Sequence, residues 1–530
     1  MDIKLPPKRP VRFFNTTGPC FPWDHYMLPP ADRLIGARLD RYISDSLYWV
    51  LHAPRQTGKT TFLIDWAREM NAGGEAAACY VTVERCQLLS DPERCFPNIC
   101  AAIKEHAHNT DLPIPDAGDA PAGSMFSQIL RNFSELVAPK PLVLLFDEVD
   151  ALEGDAMISF LRQLRSNFPN RGVGKFPVSI VLVGMRDLRD YITAAKDGVP
   201  PNPMSPFNIK TDSVLLGNFS KDDVRALFAQ RTEETGQRIT DEAFQYVWEQ
   251  SMGQPWIVNS LFERATTRIL KQDDYSDVTL EHVESAREQM IQARETHIDS
   301  LNHRLFNPKI RHIIETILMG GYDPQAMNRA NPDVELAMDL GLIRWDAANG
   351  FIIYNPIYEE MMTRFLNSGY HDNLPPPSNW KWQKADGSLD MDSLLREFQN
   401  FWRRHSEIWE QKSDYTEVFP HLLLTAFLQR ILNGGGRMER EAAAGRGRMD
   451  LLVEYKGVKA VIEIKLVRSY DTPEEVREEG LRQIAMYRDK AAPAAPAYLM
   501  IFDRRDAART LPWDERISWT EENGITVLGC

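Results

Sequence analysis

Residues 50–70 read VLHAPRQTGKTTFLIDWAREM. An apolar strand-like run enters a tight loop of small and polar residues, and a helical pattern follows at once. Gly58, Lys59 and Thr60 match the end of G-x-x-x-x-G-K-[ST]. Small loop residues let backbone N–H groups face phosphate oxygens, and the N-terminus of the following helix adds its partial positive charge. In such a loop Lys59 is placed to reach the β- and γ-phosphates of ATP, and Thr60 to ligate Mg²⁺. Ala53, Pro54, Gln56, Thr57, Gly58, Lys59, Thr60 and Thr61 form the expected nucleotide-contacting set. Ala53 departs from the motif, because the first position is usually glycine and alanine has a smaller φ range.

The second half of such a site is an apolar strand that ends in acid. PLVLLFDEVDAL, residues 141–152, supplies it. Asp147 is expected to hold Mg²⁺ through water, and Glu148 to orient or deprotonate the attacking water. Capping of a helix at the strand end is the plainer alternative for this pair. Asp150 reads as structural. Around these two segments, the runs LYWVLHAP (47–54), AACYVTVE (77–84) and VSIVLVGMRD (178–187) alternate with helical patterns. Alternation of this kind, from about residue 46 to 217, predicts a parallel α/β sheet within an ATPase core over residues 1–217. Arg186, after the last of these runs, is either a sensor of the γ-phosphate or a solvated charge.

Residues 218–300 change character. Helical periods begin after plausible caps at Ser220 and Thr240, which predicts an all-helical lid. Over 301–370, helical patterns are followed by a short hairpin, GLIRWDAANGFIIYN (341–355), an order that suggests a winged helix. A polar stretch with three consecutive prolines reads as a linker over 371–388. A second α/β or α+β unit fills 389–530.

The segments GPCFPWDHYMLPP (18–30), APRQTGKTT (53–61), LLFDEVD (144–150) and SMGQPWIVN (251–259) resemble those of bacterial AAA-like ATPases related to the archaeal-ATPase and STAND groups. The resemblance covers about residues 10–370 and implies a helical lid and a winged helix after the core. It also implies that the element Gly253, Gln254 and Pro255 approaches the nucleotide. Simple packing at a helix start is the alternative for Pro255 and Trp256. The stretch 18–34 is a candidate cover for adenine, with His25 and Tyr26 equally suited to a core.

Near the C-terminus, RMDLLVEY (448–455) and KAVIEIKL (459–466) both alternate at period two and predict an antiparallel hairpin. Asp450 opens the first strand. Glu463 and Lys465 are two residues apart, so they share one face of the second strand while Ile464 faces the core. A divalent metal would hold Asp450 and Glu463 at close range. Lys465 would orient a water nucleophile or neutralise developing phosphate charge. A salt-bridged edge hairpin is the structural alternative.

Acid–x(12)–Glu–x–Lys across two strands resembles the PD-(D/E)XK nucleases, with Met449 where a proline usually precedes the first acid. The resemblance covers roughly residues 415–505. Glu441, or in competition Glu439, lies on a candidate first core strand and could assist the metal. Gln483 and Tyr487, at i and i+4 on a following helix, share one face and resemble the Gln-x-x-x-Tyr helix of RecB-like nucleases. There such residues contact the DNA backbone near the site. Arg446 and Arg448 are candidates for holding a phosphodiester, and His421 for a ligand or a packing residue.

The formal net charge of −14 disfavours a surface that coats nucleic acid as a whole, but leaves room for a local basic groove or for metal-compensated sites. The six cysteines fall at no metal-ligand spacing, which suggests reduced thiols in a cytoplasm. No apolar run reaches the length of a membrane span, and no secretory signal opens the chain. The expectation is an ATP-binding, ATP-hydrolysing module that regulates a metal-dependent nuclease with Mg²⁺ or Mn²⁺. Its substrate is nucleic acid, DNA ahead of RNA, in defence or mobile-DNA handling. A homo-oligomer would let a neighbouring subunit supply an arginine finger. A nucleotide-dependent switch or an assembly protein that cuts nothing is the alternative.

Overall fold

The computed structural model describes residues 11–185, 209–271, 274–293, 304–318, 331–347, 350–371, 384, 386–410, 423–425, 427–428, 436–441, 450–467, 471–491, 493–503 and 505–530. Arg186, His421, Arg446, Arg448, Met449 and most of 371–388 lie outside these residues. For Glu439, Glu441 and Asp450 the strand positions are described. The chain divides into two compact units, residues 1–293 with 339–341, and residues 294–338 with 342–530.

The first unit is built on β1 (Leu34–Ile35), α1 (Leu39–Ser44), β2 (Tyr48–His52), α2 (Lys59–Gly73), β3 (Ala77–Thr82), α3 (Pro92–Asn109), α4 (Ala122–Val137), β4 (Leu142–Asp147), α5 (Gly154–Asn167), β5 (Ser179–Gly184) and β6 (Lys210–Leu216). The sheet order is β1-β6-β2-β5-β4-β3, parallel except for β1. The parallel α/β sheet expected from the sequence is therefore the sheet found. Every residue of β4 is buried, because helices cover both faces. Leu144 and Phe146 join one core with Ile99, Phe126 and Phe160 of the helices α3 to α5. Val143 and Leu145 join the other with Phe62, Leu63 and Trp66 of α2. Each such side chain contributes about 1.5–3 kcal/mol by leaving water.

This order matters for the site. After β2 the chain crosses to the far edge at β3, then returns through β4 and β5, while β6 lies on the other side of β2. The strand ends around β2 thus form the crevice at which open α/β sheets bind ligands. A helical group follows: α6 (Lys221–Thr235), α7 (Asp241–Ser251), α8 (Pro255–Glu263) and α9 (Leu280–Gln292). Ser220 caps α6 in a reciprocal box with Asp223, and the Thr240 hydroxyl accepts from Ala243 N at 3.3 Å.

The second unit holds α10 (Pro308–Leu318), α11 (Pro332–Asp339), the antiparallel hairpin β7 (Ile343–Asp346) and β8 (Gly350–Ile353), α12 (Pro356–His371) and α13 (Met391–Glu410). It also holds a second sheet, from β9 (Gly436–Glu441), β10 (Asp450–Tyr455), β11 (Val458–Val467), β12 (Ala497–Asp503), β13 (Ser518–Glu522) and β14 (Ile525–Gly529). α14 (Pro473–Ala491) crosses between the parallel strands β11 and β12. The order is β13-β14-β12-β11-β10-β9. Lys456 and Gly457, both at positive φ, form a two-residue hairpin turn, and Val458 already pairs in β11. One face packs Leu452, Val461, Leu499 and Val527 against Ile484 and Tyr487 of α14. On the other, Phe502 meets Phe398 and Trp402 of α13 at centroid distances of 6.3 and 5.0 Å.

All six cysteines carry free thiols. Among the described residues no helix is long and apolar enough to cross a membrane.

Candidate functional site

In the first unit, the loop after β2 meets the acidic end of β4. The Thr60 hydroxyl donates to Asp147 Oδ2 at 2.7 Å, and the Tyr80 hydroxyl donates to the same oxygen at 3.2 Å. Lys59 Nζ turns back and donates to the carbonyls of Ala53 and Pro54 at 2.8 and 2.9 Å. Burial pulls the Lys59 ammonium below its usual range, while Asp147, Glu148 and Asp150 act in the opposite sense. Glu148 sits at φ 58°, and its N–H donates to Asp147 Oδ1 at 3.0 Å. Burial first, then Asp150 and Asp147, push its carboxyl up to about 6. Burial raises Asp150 as well, and among the described residues its Oδ1 accepts no hydrogen bond.

Sequence reasoning missed two of these neighbours. Tyr80 reaches Asp147 only because β3 pairs beside β4. Arg33 donates to Thr57 O at 2.9 Å and to Gly217 O at 2.8 Å, so it ties the loop to the end of β6. Burial lowers Arg33 to about 10, which leaves it a cation at neutral pH. A Cβ on Gly58, which holds φ +96°, would lie 2.9 Å from Arg33 Nη2. The left-handed φ of the turn is what favours glycine there. No sequence motif marks Arg33.

A pocket opens beside the loop, lined by residues that include Cys20, Tyr26, Gly58, Thr61, Pro255 and Asn259. The stretch 18–30 forms one wall, tied to α2 by Cys20 N donating to Thr61 Oγ1 at 3.1 Å. The Trp256 indole donates to Thr16 O at 2.9 Å and ties α8 to that wall. Pro255, at the start of α8, therefore packs and faces the cavity at once. Tyr26 lines the cavity; His25 instead accepts from Phe21 N at 2.8 Å through Nδ1.

Gly253 fixes where α8 begins. It holds φ +73°, and a Cβ there would sit 2.0 Å from Phe219 O. Gly253→Ala is expected to cost about 3 kcal/mol through this overlap and backbone strain. A thermal melt should show a Tm lower by several degrees, and an unchanged Tm would contradict the packing described.

In the second unit, the register sets Glu441 opposite Asp450 and Asp450 opposite Glu463. Directly paired positions share a sheet face, so three acidic positions form one row across β9, β10 and β11. Glu439 pairs with Leu452, one row away on that face. Of the two competing glutamates, Glu441 is the one in the row of Asp450 and Glu463. The row lies on the α14 face, by parity with Leu452 and Val461.

Glu463 is 0% exposed, and among the described residues neither of its oxygens accepts a hydrogen bond. Lys465 Nζ lies 3.3 Å from Glu463 Oε1, an ion pair at contact range without hydrogen-bond geometry. Burying a carboxylate without donors costs several kcal/mol, which one ammonium offsets in part. Lys465 also stands 3.9 Å from Glu479 of α14, and Gln483 Nε2 donates to the same carboxylate. Glu479 is a further acid that sequence reasoning did not single out; it precedes Gln483 by one helical turn. Gln483 and Tyr487 are both buried against the sheet.

A metal fits this chemistry: an orphaned buried carboxylate lies in a row of acidic positions with a lysine alongside. Among the described residues, no three His, Cys, Asp or Glu side chains stand together as a metal cluster.

The fold and the two constellations define a class: a P-loop ATPase domain followed by a nuclease-type domain. Comparison with known families agrees. Residues 44–192 match the AAA domain, and residues 415–499 match the PD-(D/E)XK nuclease superfamily. The chain thus carries an AAA-type ATPase domain and a PD-(D/E)XK nuclease domain, and both indicate an enzyme. A search of curated proteins returns no match. Among solved structures, similarity is found to the Walker-type ATPase PABY2304 of Pyrococcus abyssi, at 13% identity and TM-score 0.47, over 66% of this chain and 99% of that one. The RuvB Holliday junction branch migration motor of Thermotoga maritima is similar at 13% identity and TM-score 0.33, over 61% and 90%. Cdc6p from Pyrobaculum aerophilum is similar at 13% identity and TM-score 0.34, over 62% and 92%.

Proposed function

We propose that this protein is a metal-dependent nuclease whose activity is regulated by ATP binding and hydrolysis in the same chain. The observation that carries the nuclease half is the row Glu441–Asp450–Glu463, with Lys465 two residues beyond Glu463 on the same strand. Asp450 and Glu463, assisted by Glu441, would hold Mg²⁺ or Mn²⁺, which supplies Lewis-acid stabilisation of phosphate charge. Lys465 orients the attacking water and neutralises charge on the phosphodiester. Gln483 and Tyr487 position the nucleic-acid backbone, with DNA the preferred substrate.

At the other site, the loop 53–61 binds the phosphates of ATP, with Lys59 on the β- and γ-phosphates. Thr60, with Asp147 through water, would hold Mg²⁺. Glu148 takes the proton of the attacking water, and Pro255 approaches the nucleotide from α8. The proposed domains are an ATPase core at 1–217, a lid at 218–300, a winged helix at 301–370, a linker at 371–388 and a nuclease domain at 389–530. ATP would shift the lid and winged helix relative to the core, in a homo-oligomer if an arginine finger comes from a neighbour. Defence or mobile-DNA handling is the setting that the pairing of domains suggests.

The test is incubation of the full chain with plasmid DNA, linear DNA and RNA, each with Mg²⁺, Mn²⁺ or EDTA. Metal-dependent cleavage of DNA is expected. Intact substrate under every metal would end the nuclease reading and favour a switch that binds without cutting.

The proposed base sets a pH dependence. A base works only when deprotonated, and the Glu148 carboxyl stands at about 6. Below that pH its deprotonated fraction falls about tenfold per unit. The kcat/KM for ATP should therefore rise with unit slope up to about pH 6 and then level off, since kcat/KM reports the free enzyme. Steady-state phosphate release from pH 4.5 to 8 checks this. A flat profile would remove Glu148 from the role, and Glu148→Gln should abolish the rise.

A further inference from the structure

We propose that Asn259 reads the base of the bound nucleotide and makes the site selective for adenine over guanine. This rests on the proposal that the cavity beside the phosphate loop holds a nucleoside triphosphate. Asn259 lies on α8, one turn beyond Pro255, and lines that cavity. It is 6% exposed.

The amide has a fixed orientation. Asn259 Nδ2 donates to Pro255 O at 2.8 Å. A carbonyl oxygen only accepts, so this contact decides which end of the amide carries nitrogen. The other end, Oδ1, has no hydrogen-bond partner among the described residues. A buried acceptor left unpaired is destabilising, so a ligand that brings a donor recovers what the empty fold loses.

The surrounding wall suits a flat base. Leu28, Phe219, Leu227 and Trp256 give it apolar surface, and the phosphate loop at Gly58 lies on the same cavity. Adenine carries an exocyclic amino group at its 6-position, which donates. Guanine carries an oxygen there, which accepts. Facing Oδ1, adenine gains a hydrogen bond while guanine sets two acceptors against each other. Turning the amide to suit guanine would break its bond to Pro255 O. A site built to bond one polar group strongly rejects an analogue that lacks it.

The experiment measures equilibrium binding of three Mg²⁺-triphosphates to the full chain: ATP, GTP and purine riboside triphosphate, which is ATP without the 6-amino group. The wild type should bind ATP about 30-fold more tightly than either of the others. In Asn259→Ala, ATP should weaken to the level of purine riboside triphosphate, whose own affinity should change by less than about threefold. The wild-type comparison needs no variant, so it stands even if Asn259→Ala misfolds. Equal binding of ATP and purine riboside triphosphate by the wild type would overturn the proposal and leave the nucleotide site in place. Uniform weakening of all three in Asn259→Ala would assign the residue to helix packing and overturn it too. Failure of the wild type to bind any triphosphate would overturn both this proposal and the nucleotide site beneath it.

Discussion

Glu463→Gln is expected to lower phosphodiester cleavage about 10³-fold while leaving the fold intact. Glutamine keeps the shape of the side chain and removes its charge. The carboxylate lies fully buried, 3.3 Å from the Lys465 ammonium, and among the described residues neither of its oxygens accepts a hydrogen bond. A neutral isostere escapes that desolvation cost. Lys465 keeps Glu479 within 3.9 Å, so it is not stranded by the change. The variant should therefore melt about 2–5 °C higher than the wild type while it loses activity, the pattern of a site that trades stability for function. Cleavage rates and a thermal melt, on one preparation, check both signs. A variant that melts lower and still cuts would make Glu463 a structural residue.

Lys59→Ala is expected to reduce ATP turnover about 10³-fold. The ammonium lies buried between the loop carbonyls of Ala53 and Pro54, with Thr60, Asp147 and Glu148 beyond it. A triphosphate would exchange those carbonyls for its own oxygens, which bind the cation more strongly. Alanine leaves the β- and γ-phosphates without that charge. Phosphate release at saturating ATP is the measurement. Turnover at the wild-type rate would place hydrolysis elsewhere.

These two sites were legible to different degrees in the sequence. The phosphate loop announces itself because Gly58, Lys59 and Thr60 are adjacent, and their chemistry needs a contiguous turn. The acidic strand end at Asp147 is legible because full burial of β4 imposes a continuous apolar run before it. Arg33 and Tyr80 were not legible. They reach the loop and Asp147 across strand neighbours, and strand order is not written in local pattern. The same holds in the second sheet. The hairpin of β10 and β11 follows from alternation, but two glutamates on β9 competed for the place beside Asp450. Only the register, which sets Glu441 and not Glu439 opposite Asp450, separates their positions. Glu479 was hidden because a helix rich in Glu and Arg reads as a solvated face; the crossover from β11 to β12 is what carries it to Lys465. Asn259 was hidden for a similar reason: its meaning lies in which amide atom is left without a partner.

The claim that joins the two domains is that nucleotide at Lys59 controls cleavage at Lys465. The direct test is the DNA cleavage rate of the wild type with Mg²⁺, with and without ATP, beside that of Lys59→Ala under the same two conditions. A wild-type rate that changes at least tenfold with ATP, and a Lys59→Ala rate that ignores ATP, is the predicted result. Equal rates in all four reactions would contradict it, and would leave a nuclease and an ATPase that share a chain without sharing control.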